Sequence, residues 1–459
     1  MQLKAEWRDR LKYWTHALTQ DFYTPIGAIE FMGFCTFEQL SLEKALTGNF
    51  SPMPTGTKWG DEWQYAWLKA SITLPKEAEG KMIVMDLNPG GEATIFVNGK
   101  AFGTKRAEWV TVPHHYIQDN FLTENGKEGE RYELVIEAYA GHYFPEGIVG
   151  GIGVGPILPG AYEDPLKGKP RAEIGMSGIG VWNEEAYQLW LDVVTLTEVT
   201  QNLSDGSLRA AKIAKGLMDF TLAVDFEQAP ERRIQDYKKG REILKPLMEA
   251  KNGSTAPMFC AIGNSHLDVV WLWPYAETVR KTARTFAQQL RLLEKYPDYR
   301  YLQSQPKTYL MCKEHYPELY SEIKQAIRDG KWIAEGAMWV EPDTNMVLGE
   351  SLIRQIIYGM RFFKKEFGVD CKILWLPDFD AGAFACKGRL WHVCRKNDCN
   401  CHGCDCTNGY SILVYAEILC KWHFTAIRRK GIIIQSKRTA HRRPFGYYIK
   451  GAACAVQRN

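Results

Sequence analysis

From residue 257 onward, apolar and polar positions switch between a period of two and a period near 3.6 with a regularity that the earlier part of the chain lacks. Apolar runs predict strands at Met258–Ile262, Tyr301–Ser304, Trp332–Val340 and Lys372–Leu376, and the helical period predicts helices over Thr278–Lys295, Lys307–Asp329 and Gly349–Phe367. Four strands with three intervening helices form a repeated βα pattern, the sequence sign of a parallel sheet or barrel. Before this, residues 1–50 read as helical and then irregular. Short β-like runs follow up to about residue 200, among them Tyr65–Leu74, Lys81–Leu87, Ala93–Val97 and Tyr132–Ala138. Asn98-Gly99 predicts a tight hairpin, because both residues tolerate positive φ, and strands at this spacing suggest a β-sandwich. The Gly147–Gly160 stretch follows no clear strand and opens no helix, so it reads as a surface loop rather than a nucleotide cradle. Leu208–Leu222 and Glu231–Ala250 then read as helices closed by Asn252-Gly-Ser-Thr. The expected organisation is a β-rich unit over 1–200, a helical connector over 201–256, an α/β unit over 257–378 and a separate tail over 379–459.

The tail differs from the rest in charge and cysteine use. Residues 379–459 hold 14 Lys and Arg against 4 Asp and Glu, a net +10, whereas residues 1–378 carry a net −7. Eight of the 12 cysteines also fall in the tail. The chain as a whole is 45% hydrophobic and 24% charged over 459 residues, a globular composition sufficient for two or three domains. The N-terminus is charged and amphipathic, without the basic start and apolar centre of a secretory signal, and no apolar run has membrane-spanning length. The expectation is a cytoplasmic protein with reduced thiols and no membrane partner.

Candidate chemistry concentrates where the predicted strands end, which is where α/β folds place their sites. His266 and Asp268 follow the first strand in Gly263-Asn-Ser-His-Leu-Asp268, and residues two apart in an extended segment point to the same side. Asp378 follows the fourth strand in Leu374-Trp-Leu-Pro-Asp378. One imidazole and two carboxylates could hold an ion such as Zn²⁺ at about 2.0–2.2 Å, with a further ligand completing the shell. Each residue also has a plainer reading: local hydrogen bonding for His266 and Asp268, and helix capping for Asp378.

Four ordered motifs then carry a resemblance: Gly263-Asn-Ser-His-Leu-Asp-Val-Val-Trp271-Leu-Trp-Pro274, Trp332-Ile-Ala-Glu-Gly-Ala-Met-Trp-Val-Glu-Pro-Asp343-Thr-Asn345, Gly349-Glu-Ser-Leu-Ile-Arg-Gln355 and Leu374-Trp-Leu-Pro-Asp378. Together they resemble glycoside hydrolase family 38, the α-mannosidases, over about residues 257–378, and the preceding region is similar to the accessory N-terminal part of the family's cytosolic and bacterial branch. The resemblance implies a seven-stranded α/β barrel, of which this chain has the first four strands, one Zn²⁺ with Co²⁺ as the alternative, and retaining hydrolysis of terminal α-mannosyl linkages in oligosaccharides. It implies His266, Asp268 and Asp378 as metal ligands, Asp378 also as nucleophile, and Trp271 as the floor beneath the sugar. Trp271 has a plainer reading as a core tryptophan. In such chemistry a carboxylate attacks the anomeric carbon while a second carboxyl, about 5–5.5 Å away, protonates the leaving oxygen. The metal is implied to bind ring hydroxyls, as template and charge stabiliser. Glu335, Glu341 and Asp343 have open roles in orienting or capping. A full-length member of such a family could also form a homo-oligomer.

The pattern stops after Asp378, where Phe379-Asp-Ala-Gly-Ala-Phe-Ala-Cys386 replaces the expected continuation. Neither the general acid/base nor the remaining metal-ligand histidine can be placed; His392, His402, His423 and His441 sit in no matching motif. The compact Cys399-Asn-Cys-His-Gly-Cys-Asp-Cys406 run is not a common finger pattern, so no nucleic-acid partner is expected. An out-of-frame reading after codon 378 accounts better for the tail, which is then not natively folded, leaving this chain incomplete and inactive. Two other functional classes remain: a metal-dependent polysaccharide deacetylase, disfavoured because it leaves the long motifs at Trp332–Asn345 and Gly349–Gln355 without a role, and a non-catalytic glycan-binding protein using the β-rich unit.

Overall fold

The computed structural model describes residues 5–105, 120–143, 164, 166–204, 206–253, 261–271, 273–342, 344 and 347–376. The Gly147–Gly160 segment and the tail 379–459 lie outside the described residues.

The N-terminal part folds into two antiparallel sheets. The first runs in the order β1 (Tyr23–Ala28), β12 (Gly178–Trp182), β6 (Ile83–Asp86), β9 (Phe121–Thr123). The second runs β3 (Ser51–Met53), β2 (Phe31–Thr36), β5 (Tyr65–Thr73), β10 (Arg131–Tyr139), β7 (Ala93–Val97), β8 (Lys100–Lys105), while β4 (Lys58–Trp59) and β11 (Ala172–Glu173) form a small ribbon. Register explains the core. Leu134, Ile136 and Ala138 of β10 sit opposite Ala70, Leu68 and Ala66 of β5 and Val97, Ile95 and Ala93 of β7, and this face fills the space between the sheets. The expected hairpin joins β7 to β8, with φ of 50° at Asn98 and 80° at Gly99.

Helices α1 (Ala5–Gln20), α3 (Glu184–Gln201), α4 (Leu208–Ala223) and α5 (Pro230–Met248) pack together and cover the outer side of the first sheet through Val84 and Trp182. The short α2 (Leu42–Leu46) lies in the β-rich part. Two expectations need correcting here. Residues 1–50, read as irregular after a first helix, contain β1 and β2, hidden because Pro25, Gly27 and Gly33 interrupt any clean alternation. Glu184–Gln201, counted with the β-rich unit, is helical: its Val and Thr residues mimic a strand, but the Asn183 side chain caps the Ala186 N–H and two glutamates occupy the first turn.

The α/β unit carries β13 (Gly263–Asn264), β14 (Tyr301–Gln303) and β15 (Trp332–Ala334), parallel and adjacent in chain order, and Leu374 adds a parallel bridge to Gly336. Its helices are α6 (Tyr275–Lys295), α7 (Pro306–His315), α8 (Pro317–Arg328) and α9 (Gly349–Phe367). The βα alternation is as expected, but the elements are cut differently. The helix read over Lys307–Asp329 breaks at Tyr316, because Pro317 cannot donate to a continuing helix. The extended run at Trp332–Val340 is continuous strand only as far as Ala334, with one further bridge at Gly336, since the chain turns at Gly336 (φ 144°) and Ala337 (φ 67°). The strand expected over Lys372–Leu376 is a single bridge at Leu374. For the first strand, residues 258–260 lie outside the described residues and the described pairing is at Gly263 and Asn264. Gly359 lets α9 lie against this turn, because a Cβ there would come within 2.0 Å of the Ala337 carbonyl oxygen. Among the described residues no helix is long and apolar enough to cross a membrane.

Helix α6 joins the two parts. One side of it, Ala283, Phe286, Ala287, Leu290 and Leu293, belongs to the α/β core. The other side presents Glu277, Arg280 and Arg284, at helical spacing, to the outer face of the second sheet. Arg280 Nε donates to Glu137 Oε1 at 2.6 Å with both side chains 1% exposed, and its guanidinium lies 3.5 Å over the Tyr65 ring. The Tyr65 hydroxyl donates to Glu277, which also pairs with Arg284, and Arg284 reaches Glu92 Oε2 at 2.9 Å. Ions this deep are held by geometry, and removing one partner exposes the full desolvation cost of the other. Glu137→Gln should therefore destabilise the protein by about 3–5 kcal/mol in urea unfolding, and the double change Glu137→Met with Arg280→Met should recover most of that loss; a single variant as stable as the wild type would contradict the role of the pair.

Candidate functional site

The ends of the parallel strands bring together polar side chains that the chain separates by up to 75 residues. The first segment leaves β13 at Asn264, whose side chain donates to the Leu302 carbonyl at 3.0 Å, and continues without regular structure through His266 to Asp268. The second leaves β14 as Gln303-Ser304-Gln305, and Pro306 then starts α7. The third turns at Gly336 and Ala337 and delivers Glu341; its course is fixed by α9, where Trp339 N–H donates to the Gln355 carbonyl and Val340 N–H to the Gln355 side chain, both at 2.9 Å.

These segments are cross-braced. Gln305 donates to the Leu267 carbonyl at 2.8 Å and accepts the Glu341 N–H at 3.1 Å, so one side chain ties the histidine segment to the glutamate segment. Ser304 Oγ donates to Glu341 Oε1. Glu341, with its side chain 3% exposed, meets His266 Nδ1 through Oε2. The other ring nitrogen, Nε2, lies 3.2 Å from Asp268 Oδ1. Burial opposes the charged ring, but the hydrogen bonds and charges of Asp268 and Glu341 outweigh it and hold the His266 pKa up at about 10.

Below the segment, Thr278 of α6 accepts from the Trp273 indole at 3.0 Å and approaches the Asp268 carbonyl at 3.4 Å. Trp271 is 56% exposed and meets Trp273 edge-on at 5.7 Å between centroids, so it is a surface aromatic and the core reading falls away. Glu335 accepts the Lys372 and Ile373 N–H groups, tying the third strand end to the fourth segment, and burial raises its pKa against those bonds.

Of the residues singled out in the sequence, His266 and Asp268 meet, Trp271 lies three residues further on with an exposed ring, and Glu341, whose role was open, is the direct partner of His266. Asp378 and Asp343 lie outside the described residues. Gln303, Ser304 and Gln305 were missed. Their signal was a run of three polar residues at the end of a buried strand, Tyr301-Leu-Gln-Ser-Gln-Pro306. Among the described residues no group of three or more His, Cys, Asp or Glu side chains is placed to hold a metal ion.

A donor set of this kind fits a divalent cation all the same. A metal-binding histidine uses one ring nitrogen while the other donates to a carboxylate that fixes the tautomer and raises basicity. Glu341 is placed to accept from Nδ1, and Nε2 faces Asp268 Oδ1.

Residues 257–381 match the glycosyl hydrolases family 38 N-terminal domain, and residues 26–160 match the α-mannosidase jelly roll domain. Relatives include Alpha-mannosidase G of Dictyostelium discoideum, 32% identical over 74% of this chain and 30% of the relative. Alpha-mannosidase 2C1 of Mus musculus is 27% identical over 76% of this chain and 32% of the relative, and the Alpha-mannosidase of Saccharomyces cerevisiae is 28% identical over 73% and 30%. The chain thus spans about a third of the length of the curated relatives it matches.

The raised pKa of His266 has a pH signature in the absence of metal. Its stabilising contribution is fully present below the ordinary value of 6.5 and is lost as pH rises through about 10. In EDTA, His266→Gln should lower the unfolding midpoint clearly at pH 6 and leave it close to the wild type above pH ~10; a deficit that is the same at both pH values would contradict the ionic contacts.

Proposed function

With residues 257–381 a family 38 glycoside hydrolase N-terminal domain and residues 26–160 an α-mannosidase jelly roll, we propose that this chain carries the sugar-holding half of a metal-dependent, retaining α-mannosidase site for terminal mannosyl residues of oligosaccharides. The observation that carries the reading is His266 held between Glu341 and Asp268 at the end of β13. His266, Asp268 and Asp378 would hold a Zn²⁺ ion, or Co²⁺ in its place. When bound, the ion supplies positive charge for ring hydroxyls and a fixed point that orients the sugar. A barrel built on this parallel sheet would bring Asp378 to the same rim as the end of the fourth segment.

The work of this chain's own residues follows from their contacts. Glu341 would accept a hydrogen bond from His266 Nδ1–H and so orient the ring. Gln305 keeps the Glu341 segment in register with Leu267, and hence with His266 and Asp268. Trp271 offers an exposed ring face to the apolar side of a pyranose. Asp378, the proposed nucleophile, would attack the anomeric carbon and form the glycosyl-enzyme, whose hydrolysis needs a second carboxyl acting as acid and then as base. That second group is not assigned in residues 1–459, and residues 382–459 fall outside the family match. The chain is therefore proposed to bind zinc weakly and to lack turnover, and the place proposed for the intact activity is the cytoplasm.

Zinc uptake and release of mannose from a 4-nitrophenyl α-mannoside by the 459-residue protein test both halves of this proposal. Measurable zinc binding that falls at least tenfold in His266→Ala and in Asp268→Ala, with little or no turnover, is expected. Zinc uptake unaffected by either change would refute the site, and rapid mannose release would refute the missing acid. Acetate release from an acetylated polysaccharide would favour the deacetylase class instead.

A further inference from the structure

Trp63 occupies a backbone conformation that tryptophan rarely adopts. It is the third residue of a turn closed by the Gln64 N–H to the Asp61 carbonyl at 3.1 Å, and its φ of 66° is the left-handed value for which such turns select Gly or Asn. Strained conformations of this kind persist where the surrounding contacts impose them, and they concentrate at ligand-binding positions. Here the Trp63 ring stacks on His142 at 4.2 Å and 11°, and the Trp63 N–H donates to the Gly141 carbonyl at 3.1 Å. Tyr139 Oη lies 2.5 Å from His142 Nδ1. The outcome is a partly exposed indole braced by His142 in the turn before β5.

Buried contacts connect this turn to the segment that carries Trp271. Tyr139 stacks with Tyr65 at 5.2 Å, and Tyr65 donates to Glu277 in the first turn of α6, immediately before the Thr278 that holds Trp273. A second connection runs through Lys281, whose Nζ lies 4.7 Å over the Trp273 ring and 2.8 Å from Glu92 on the jelly-roll side. Burial, with the Lys281 charge next, lowers the His142 pKa to about 4, so the imidazole is neutral near pH 7. Aromatic rings beside an ion-paired lysine at a domain seam suit carbohydrate, with rings for the apolar faces of pyranoses and polar groups, here Lys281 with Glu92 and Glu277, for their hydroxyls.

We propose that Trp63 and His142, with Lys281 and Trp273 across the seam, form an accessory saccharide subsite that receives the outer residues of a mannosyl oligosaccharide. The inference rests on the reading of His266, Asp268 and Trp271 as the terminal-mannose site. The jelly roll then contributes to recognition of chain length, besides supporting the α/β unit.

Calorimetric titration of the full chain with mannose and with an α-linked mannotriose, in the presence of Zn²⁺, tests this. Trp63→Gly is the informative variant, because glycine relieves the left-handed strain while removing the ring, and the unfolding midpoint reports whether the fold is kept. The wild type should bind the trisaccharide more tightly than mannose, and the variant should lose about 3- to 10-fold in trisaccharide affinity with mannose affinity unchanged. A trisaccharide preference that survives in Trp63→Gly, or no such preference in a wild type that binds mannose, overturns the subsite alone. A wild type that binds neither sugar overturns the terminal-mannose site and the subsite with it.

Discussion

The docking of α6 onto the second sheet is the interaction on which the arrangement of the molecule depends. The helix is buried on two sides, and the sides are chemically different: apolar toward the α/β core, ionic toward the jelly roll. An apolar contact alone would tolerate rotation and sliding, whereas Arg280 on Glu137 and Arg284 between Glu92 and Glu277 accept few registers, because any other leaves a buried charge without its partner. The first turn of this helix carries Thr278, which anchors Trp273 and lies under Asp268. The register of the domains and the placement of the histidine segment are thus set by the same turns of one helix.

Much of this architecture was legible in the sequence, for identifiable reasons. The βα alternation after residue 257 showed because long amphipathic helices separate strands buried on both faces. The Asn98-Gly99 hairpin showed because few residue pairs tolerate its backbone. The strands before residue 40 and the helix over Glu184–Gln201 did not show: the former are interrupted by Pro25, Gly27 and Gly33, and the latter is rich in β-branched residues. In the second helical region of the α/β unit, Pro317 marked a break that the apolar period conceals.

At the site the division is similar. His266 and Asp268 were legible because two ligand-type residues at i and i+2 follow a strand. Glu341 was visible as a motif residue but its role was not, since its partner lies 75 residues away and only the parallel order of β13, β14 and β15 brings the two together. Gln305 was invisible for a related reason. A glutamine that donates to one segment and accepts from another has no local pattern; it is recognisable only when both segments are in place. The outward rings at Trp63 and Trp271 likewise depend on which surface remains open once the two domains meet.

The site's central feature is a histidine with Nδ1 against Glu341 and Nε2 against Asp268, the nitrogen proposed to take the cation. Selective ¹⁵N-histidine NMR of the 459-residue protein, recorded near neutral pH with and without saturating Zn²⁺, reads both nitrogens of His266 directly. Without metal both nitrogens should carry protons; with zinc Nε2 should lose its proton and shift as a metal ligand while Nδ1 keeps its proton on Glu341. Retention of both protons at saturating zinc, or loss from Nδ1 in place of Nε2, would contradict the half-site.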